Sequence, residues 1–155
     1  MFKDAGIYLY TSKHYILFIM NCKNFIFTGI ISGIVILIIM TLFGFLTQII
    51  APYDITSIGG MRAFDDPLMM LFLFSPFIVS FSMTGLYLFT KKAFVGKEND
   101  KAIKLGLLMY LIYVIPSEFI IFTSMTYPLG FHLDNIVGGF IYLLLASFVI
   151  VKMLK

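Results

Sequence analysis

The sequence predicts an all-α integral membrane protein: a bundle of four transmembrane helices with both termini in the cytoplasm. Three observations carry that reading. The mean hydropathy is +1.02 and only 12% of the 155 residues are charged, about half the share of a soluble domain. Four apolar stretches each approach or exceed the roughly 20 helical residues that cross a hydrocarbon layer about 30 Å thick. The cations gather in three of the segments that separate or flank those stretches.

The first span is expected over residues 25–50, between Asn24 and Ala51-Pro52, with no charge inside it. A second runs over about 67–90 and stops at Lys91-Lys92. Its start carries Asp66-Pro67, an acidic cap before a proline at the first helical position, where the missing N–H costs nothing. Asp65 adds negative charge at the same positive helix end. The third covers about 105–126 and the fourth about 135–153, with Asp134 as its expected cap. Between the first two spans, Pro52, Asp54, Ser57 and Gly59-Gly60 read as an irregular loop. Residues 97–101 read as a short solvated turn. Residues 25–155 thus form one transmembrane domain. Residues 1–24 form an N-terminal segment, expected to lie as an amphipathic helix on the cytoplasmic surface with Lys3, Lys13 and Lys23 reaching headgroups.

Orientation follows from charge. The N-terminal segment, the connection between the second and third spans, and the C-terminus hold all ten lysines, whereas the other side holds only Arg62. Cations near span ends stay cytoplasmic, so both termini are expected on the cytoplasmic side of the cell membrane. The run at 15–20 is too short, and Lys3-Asp4 too mixed in charge, for a cleaved signal peptide. No internal repeat emerges, because Pro76 in the second span and Pro116 in the third have no counterparts in the fourth and first.

Several classes of function are excluded or left without support. Lysine rather than arginine dominates, which suits membrane-edge anchoring and not nucleic-acid recognition. Cys22 is the only cysteine, so no intrachain disulfide or thiolate cluster is possible. Nucleophile-elbow, zincin, P-loop and dinucleotide signatures are missing, and no cofactor or bound metal is expected.

Glu118 is the one ionisable group predicted deep inside a span. A carboxylate there costs about 2.5 kcal/mol or more on insertion scales, and desolvation favours its neutral form. Pro116 removes a backbone hydrogen bond one turn away. Gly106, Tyr110, Tyr113, Ser117 and Ser124 fall on one helical stripe, with Glu118 at its edge, and that stripe is expected to face the bundle interior. Ser75, Ser82 and Gly85 make a similar row on the second span. Glu118, Ser117, Tyr113, Ser75 and Ser82 are therefore the intramembrane candidates, for proton or cation handling or for interhelical hydrogen bonds. On the outer side Arg62, Asp65, Asp66, His132 and Asp134 form a polar cluster, expected to serve as caps and ion pairs; an enzyme site or metal site is the sharper alternative. Gly29 and Gly33 match the GxxxG spacing of close helix contacts, within the chain or between copies.

The reading that needs least is a structural or accessory helical bundle, packing with itself as a homo-oligomer or with a larger membrane complex in the lipid bilayer. The alternative is a small transporter or channel subunit using Glu118. A membrane-embedded enzyme with an outer-face Asp/His site is the third class.

Overall fold

The computed structural model describes the backbone from Lys3 to Lys155 and side chains from Cys22 onward, Thr56 apart. The interfacial helix expected over residues 1–24 rests on side chains that, before Cys22, lie outside the described residues. Every regular element among the described residues is helical. Four rods are long and apolar enough to cross a membrane: Cys22–Ile50, Met69–Thr90, Glu98–Ser124 and Leu129–Met153. The first rod is the apolar part of α1 (Lys3–Ile50).

The second rod begins as a 3-10 stretch, Met69–Phe74, and becomes α2 (Ser75–Thr90) at Ser75-Pro76. Pro76 therefore sits in the first turn of α2, where its missing N–H leaves no bond unmade. Asp66 does not cap an α-helix at Pro67. Its Oδ1 instead accepts the Leu68 N–H at 2.8 Å, in the turn that leads to the 3-10 stretch.

The third rod joins α3 (Glu98–Met109), a π-helical turn Tyr110–Val114, and α4 (Ile115–Ser124). It starts about two turns before the expected edge. The residues read as a solvated turn make the first turn of α3, where Asp100 Oδ2 accepts the Lys97 N–H at 3.1 Å. Acidic groups suit this helix start, which explains why a charged segment is helical. The fourth rod joins α5 (Leu129–Leu133), a second π-helical turn Asp134–Gly138, and α6 (Gly139–Met153). Pro128, extended at ψ 152°, precedes its first residue, so Asp134 lies inside the rod and is not its cap.

Helix α1 lies between α2 and α6, α6 lies between α1 and α3, and α2 scarcely meets α3. Ile36, Met83, Leu105, Leu143 and Ile150 are the largest apolar side chains fully buried between the rods. Outward-facing positions are apolar too, as at Phe45, Ile49 and Phe119. That surface suits lipid, where the helices gain cohesion from close packing and polar contacts. At one end, Lys155 Nζ meets Glu98 Oε1 at 2.9 Å, tying the finish of the fourth rod to the start of the third.

The π turns decide which side chains face inward. Along the third rod the buried positions are Ala102, Leu105, Gly106, Met109, Val114 and Glu118. The step from Met109 to Val114 is five residues, the signature of one extra residue in the turn. The stripe expected from α-helical spacing therefore breaks. Gly106 is buried, whereas Tyr113, Ser117 and Ser124 are exposed.

Candidate functional site

The tight connection at 125–128 brings the end of α4 beside the start of α5. Glu118 lies six residues before the end of α4, roughly 9 Å along the axis at 1.5 Å per residue. It is thus nearer the Ser124 end of its rod than the sequence suggests, because the rod starts earlier and ends two residues sooner than expected. His132 projects from α5 to meet it, and Nδ1 of His132 is hydrogen-bonded to Oε1 of Glu118. Only 9% of the His132 side chain and 6% of the Glu118 side chain remain exposed. The Phe122 ring stands edge-on to His132 at 5.3 Å and Phe131 at 6.0 Å. These rings shield the pair, and a buried charge needs such a partner to be tolerated.

The chemistry of the pair is a matter of proton count. One proton between imidazole and carboxyl leaves the pair neutral overall, whichever group holds it. Losing that proton leaves one net negative charge in a poorly solvated place, where only a cation offsets it.

Glu118 also forms part of a cleft of about 220 Å³ with Tyr113, Ser117, Asn135 and Tyr142. Tyr113, Asn135 and Tyr142 continue into a second hollow of about 140 Å³ that reaches Ser75. Tyr113 and Ser75 then border a third, of about 180 Å³, with Ser82 and Met109, in the gap between α2 and the third rod. All five candidates on the second and third rods thus line adjoining hollows, with Tyr113 common to all three. Ser117 and Ser82 spend their hydroxyl protons on backbone carbonyls, Ser117 to Tyr113 at 2.7 Å and Ser82 to Ile78 at 2.9 Å.

The buried hydroxyl seam lies elsewhere, between α1 and α2. Ser80 Oγ donates to Gly29 O at 2.6 Å, Ser32 Oγ donates to Thr28 O at 2.6 Å, and the two hydroxyls lie 2.5 Å apart. Beside them a Cβ on Gly29 would fall 2.3 Å from the Phe81 ring, and one on Gly33 2.5 Å from that of Phe77. The GxxxG pair therefore receives two aromatic rings of the same chain.

The polar cluster expected on the outer side divides into separate contacts. Arg62 Nη1 donates to Asp66 Oδ2 at 2.6 Å on the surface, and this bond holds the Asp66 carboxyl below its ordinary range. Asp65 is exposed. Asp134 accepts a hydrogen bond from the Tyr53 hydroxyl at 3.2 Å, while His132 turns inward to Glu118. The Gln48 amide grips Tyr53, donating to its carbonyl at 2.8 Å and accepting from its N–H at 3.3 Å. Burial, and then the charge of Asp134, push the Tyr53 hydroxyl up to about 12. Among the described residues no three His, Cys, Asp or Glu side chains gather as a metal site would need.

Sequence reasoning placed His132 with the outer aspartates and did not single out Asn135, Tyr142, Tyr53 or Ser80. A signal for the Glu118–His132 contact was present. Two polar groups flank a short Pro-containing connection at similar depth, so an antiparallel helix pair brings them level. Ser80 shares α-helical spacing with Pro76, Thr84 and Tyr87, all of which are buried. Comparison with models of known protein families, with curated proteins and with solved structures finds no match to the chain.

Proposed function

We propose that the chain is a multi-pass membrane protein in which the Glu118–His132 pair exchanges a proton, or a small cation in its place, with the clefts between the rods. In this reading the four rods cross the cell membrane and both termini lie in the cytoplasm. The observation that carries it is the buried Glu118–His132 pair at the wall of a cleft with Tyr113, Asn135 and Tyr142. Intramembrane acids are rare, and they mark ion and proton pathways often enough to make that their default reading. An apolar bundle held by packing alone has no need of such a pair.

Protein reconstituted in vesicles with a trapped pH indicator tests this. Proton flux down an imposed gradient is expected with the parent chain and lost with Glu118→Gln. Equal flux in both removes Glu118 from the mechanism, and no flux in the parent removes the reading. Orientation is tested separately by thiol labelling of Lys97→Cys and Lys155→Cys in a Cys22→Ser background. Both sites react from the cytoplasmic face if the lysine rule holds; labelling from opposite faces overturns the topology.

A second reading, the accessory bundle, draws on the sparse contact between α2 and the third rod. The hollow there, lined by Ser75, Ile78, Val79, Ser82, Met109 and Tyr113, would accept an apolar helix of a second copy or of a larger complex. Photocrosslinking from position 82 distinguishes the two. A helix filling that hollow favours the accessory role, and lipid adducts alone favour the first reading.

A further inference from the structure

At the lysine-bearing end of the bundle, a hollow of about 390 Å³ opens among α2, α3 and α6. Lys91 and Lys92 follow α2, Glu98 and Lys101 stand on the first turn of α3, and Lys155 follows α6. Its remaining walls are Tyr87, Val151 and Leu154, each 5% exposed or less. The hollow is therefore cationic at the rim and largely apolar at the base.

Four ammonium groups border it against one carboxylate, and that carboxylate is already held by Lys155 at 2.9 Å. Among the described residues, Lys91, Lys92 and Lys101 form no ion pair. Like charges this close repel, and an anion of the right size relieves that repulsion. The walls are also held in place. Lys104 Nζ donates to Val95 O at 2.7 Å, and Phe94 lies against Tyr87 with ring centroids 5.9 Å apart, so the chain leaving α2 folds back beside the hollow.

We infer that this hollow binds the phosphate of an anionic phospholipid headgroup, with Lys91, Lys92 and Lys101 around the phosphate oxygens. The inference depends on insertion of the bundle in a bilayer and not on the Glu118–His132 pair. Free phosphate offers the same oxyanion chemistry. The lipid is favoured because the hollow has an apolar base and lies beside an outward-facing apolar surface, with Phe89, in the last turn of α2, 91% exposed. A free phosphate gains nothing from either. Basic pockets between spans at a cytoplasmic face recognise lipid headgroups by this combination of charge and position.

The test uses the full chain in detergent, titrated with phosphatidylglycerol, phosphatidylcholine or inorganic phosphate, with bound lipid counted by native mass spectrometry. Phosphatidylglycerol is expected to bind about tenfold or more tightly than phosphatidylcholine. Lys91→Gln combined with Lys101→Gln should abolish that preference. The charge-matched control, Lys23→Gln with Lys97→Gln, lies outside the hollow and should retain it. Thermal unfolding of both variants verifies that they are folded. Equal loss in the two double variants, or no preference in the parent, overturns the site. Inorganic phosphate that binds the parent and displaces phosphatidylglycerol at similar concentration overturns the lipid as its occupant.

Discussion

His132 and Glu118 are bonded to each other across two helices that each contain a π-helical turn, at 110–114 and 134–138. The turn on the third rod lies between Met109 and Glu118, and it is what points Glu118 inward. With uninterrupted α-helical spacing, Ser117 would share the face of Gly106 and Tyr113, and Glu118 would stand about 100° away. One extra residue rotates the remainder of the rod by about that angle, which puts the carboxyl in front of His132.

Removing either partner should leave the other buried without its hydrogen bond. Glu118→Leu and His132→Leu are each expected to lower stability by about 1–3 kcal/mol. The double variant should lose less than the sum, because no orphaned polar group remains. Reversible unfolding in mixed micelles measures this. Strict additivity would show that the two side chains are not coupled.

Close packing of α1 on α2 should be intolerant of bulk at Gly33. With Phe77 only 2.5 Å from a Cβ there, Gly33→Leu should cost about 1–3 kcal/mol by overpacking. Ile38→Leu, on an outward face, should change stability by no more than about 0.5 kcal/mol. If Gly33→Leu instead leaves stability intact and alters only association between copies, the glycine pair serves an intermolecular contact.

Gly130 meets backbone. Its Cβ would fall 2.0 Å from Ala51 O, and a main-chain oxygen has no rotamer by which to move aside. Gly130→Ala should therefore reach the upper end of the roughly 1–3 kcal/mol that overpacking costs. Gly59→Ala, with nothing within 4 Å of its Cβ, serves as control and should be close to neutral in the same unfolding assay.

Tyr53 makes a pH prediction. Its folded-state value, pushed up to about 12 by burial and by Asp134, lies above the ordinary 10.0. Its contribution to stability is therefore complete below the ordinary value and declines as pH rises through about 12. Difference absorbance of tyrosinate between the parent and Tyr53→Phe isolates its titration. Asp134→Asn should lower the midpoint without restoring the ordinary value, since burial is the larger cause. A midpoint unmoved by Asp134→Asn would show that the hydroxyl does not feel that carboxylate.

Particular residues show how much was legible. The first rod ends at Ile50 and the second at Thr90, as the charges and prolines beside them require. Glu118 stood out because carboxylates are so costly among apolar side chains. Its partner did not, since His132 sits beside Asp134 in sequence and only the packing of α5 against α4 separates their roles. Ser80 was passed over for Ser75 and Ser82, because it lies on a different row, with Pro76 and Thr84, and which row meets α1 depends on the crossing of the two helices. Asp134 resembled a cap, as aspartate before asparagine often is, yet Pro128 starts the helix earlier.

Hydropathy and charge, summed along the chain, determined the number of helical rods and grouped the lysines, because both are properties of local composition. Which side chains face one another was decided by tertiary structure. A single added residue in a helical turn is invisible to average periodicity, yet it turns every later side chain by about a quarter of a circle. That rotation is what sets Glu118 against His132 and leaves Ser117 exposed at the edge of the same cleft.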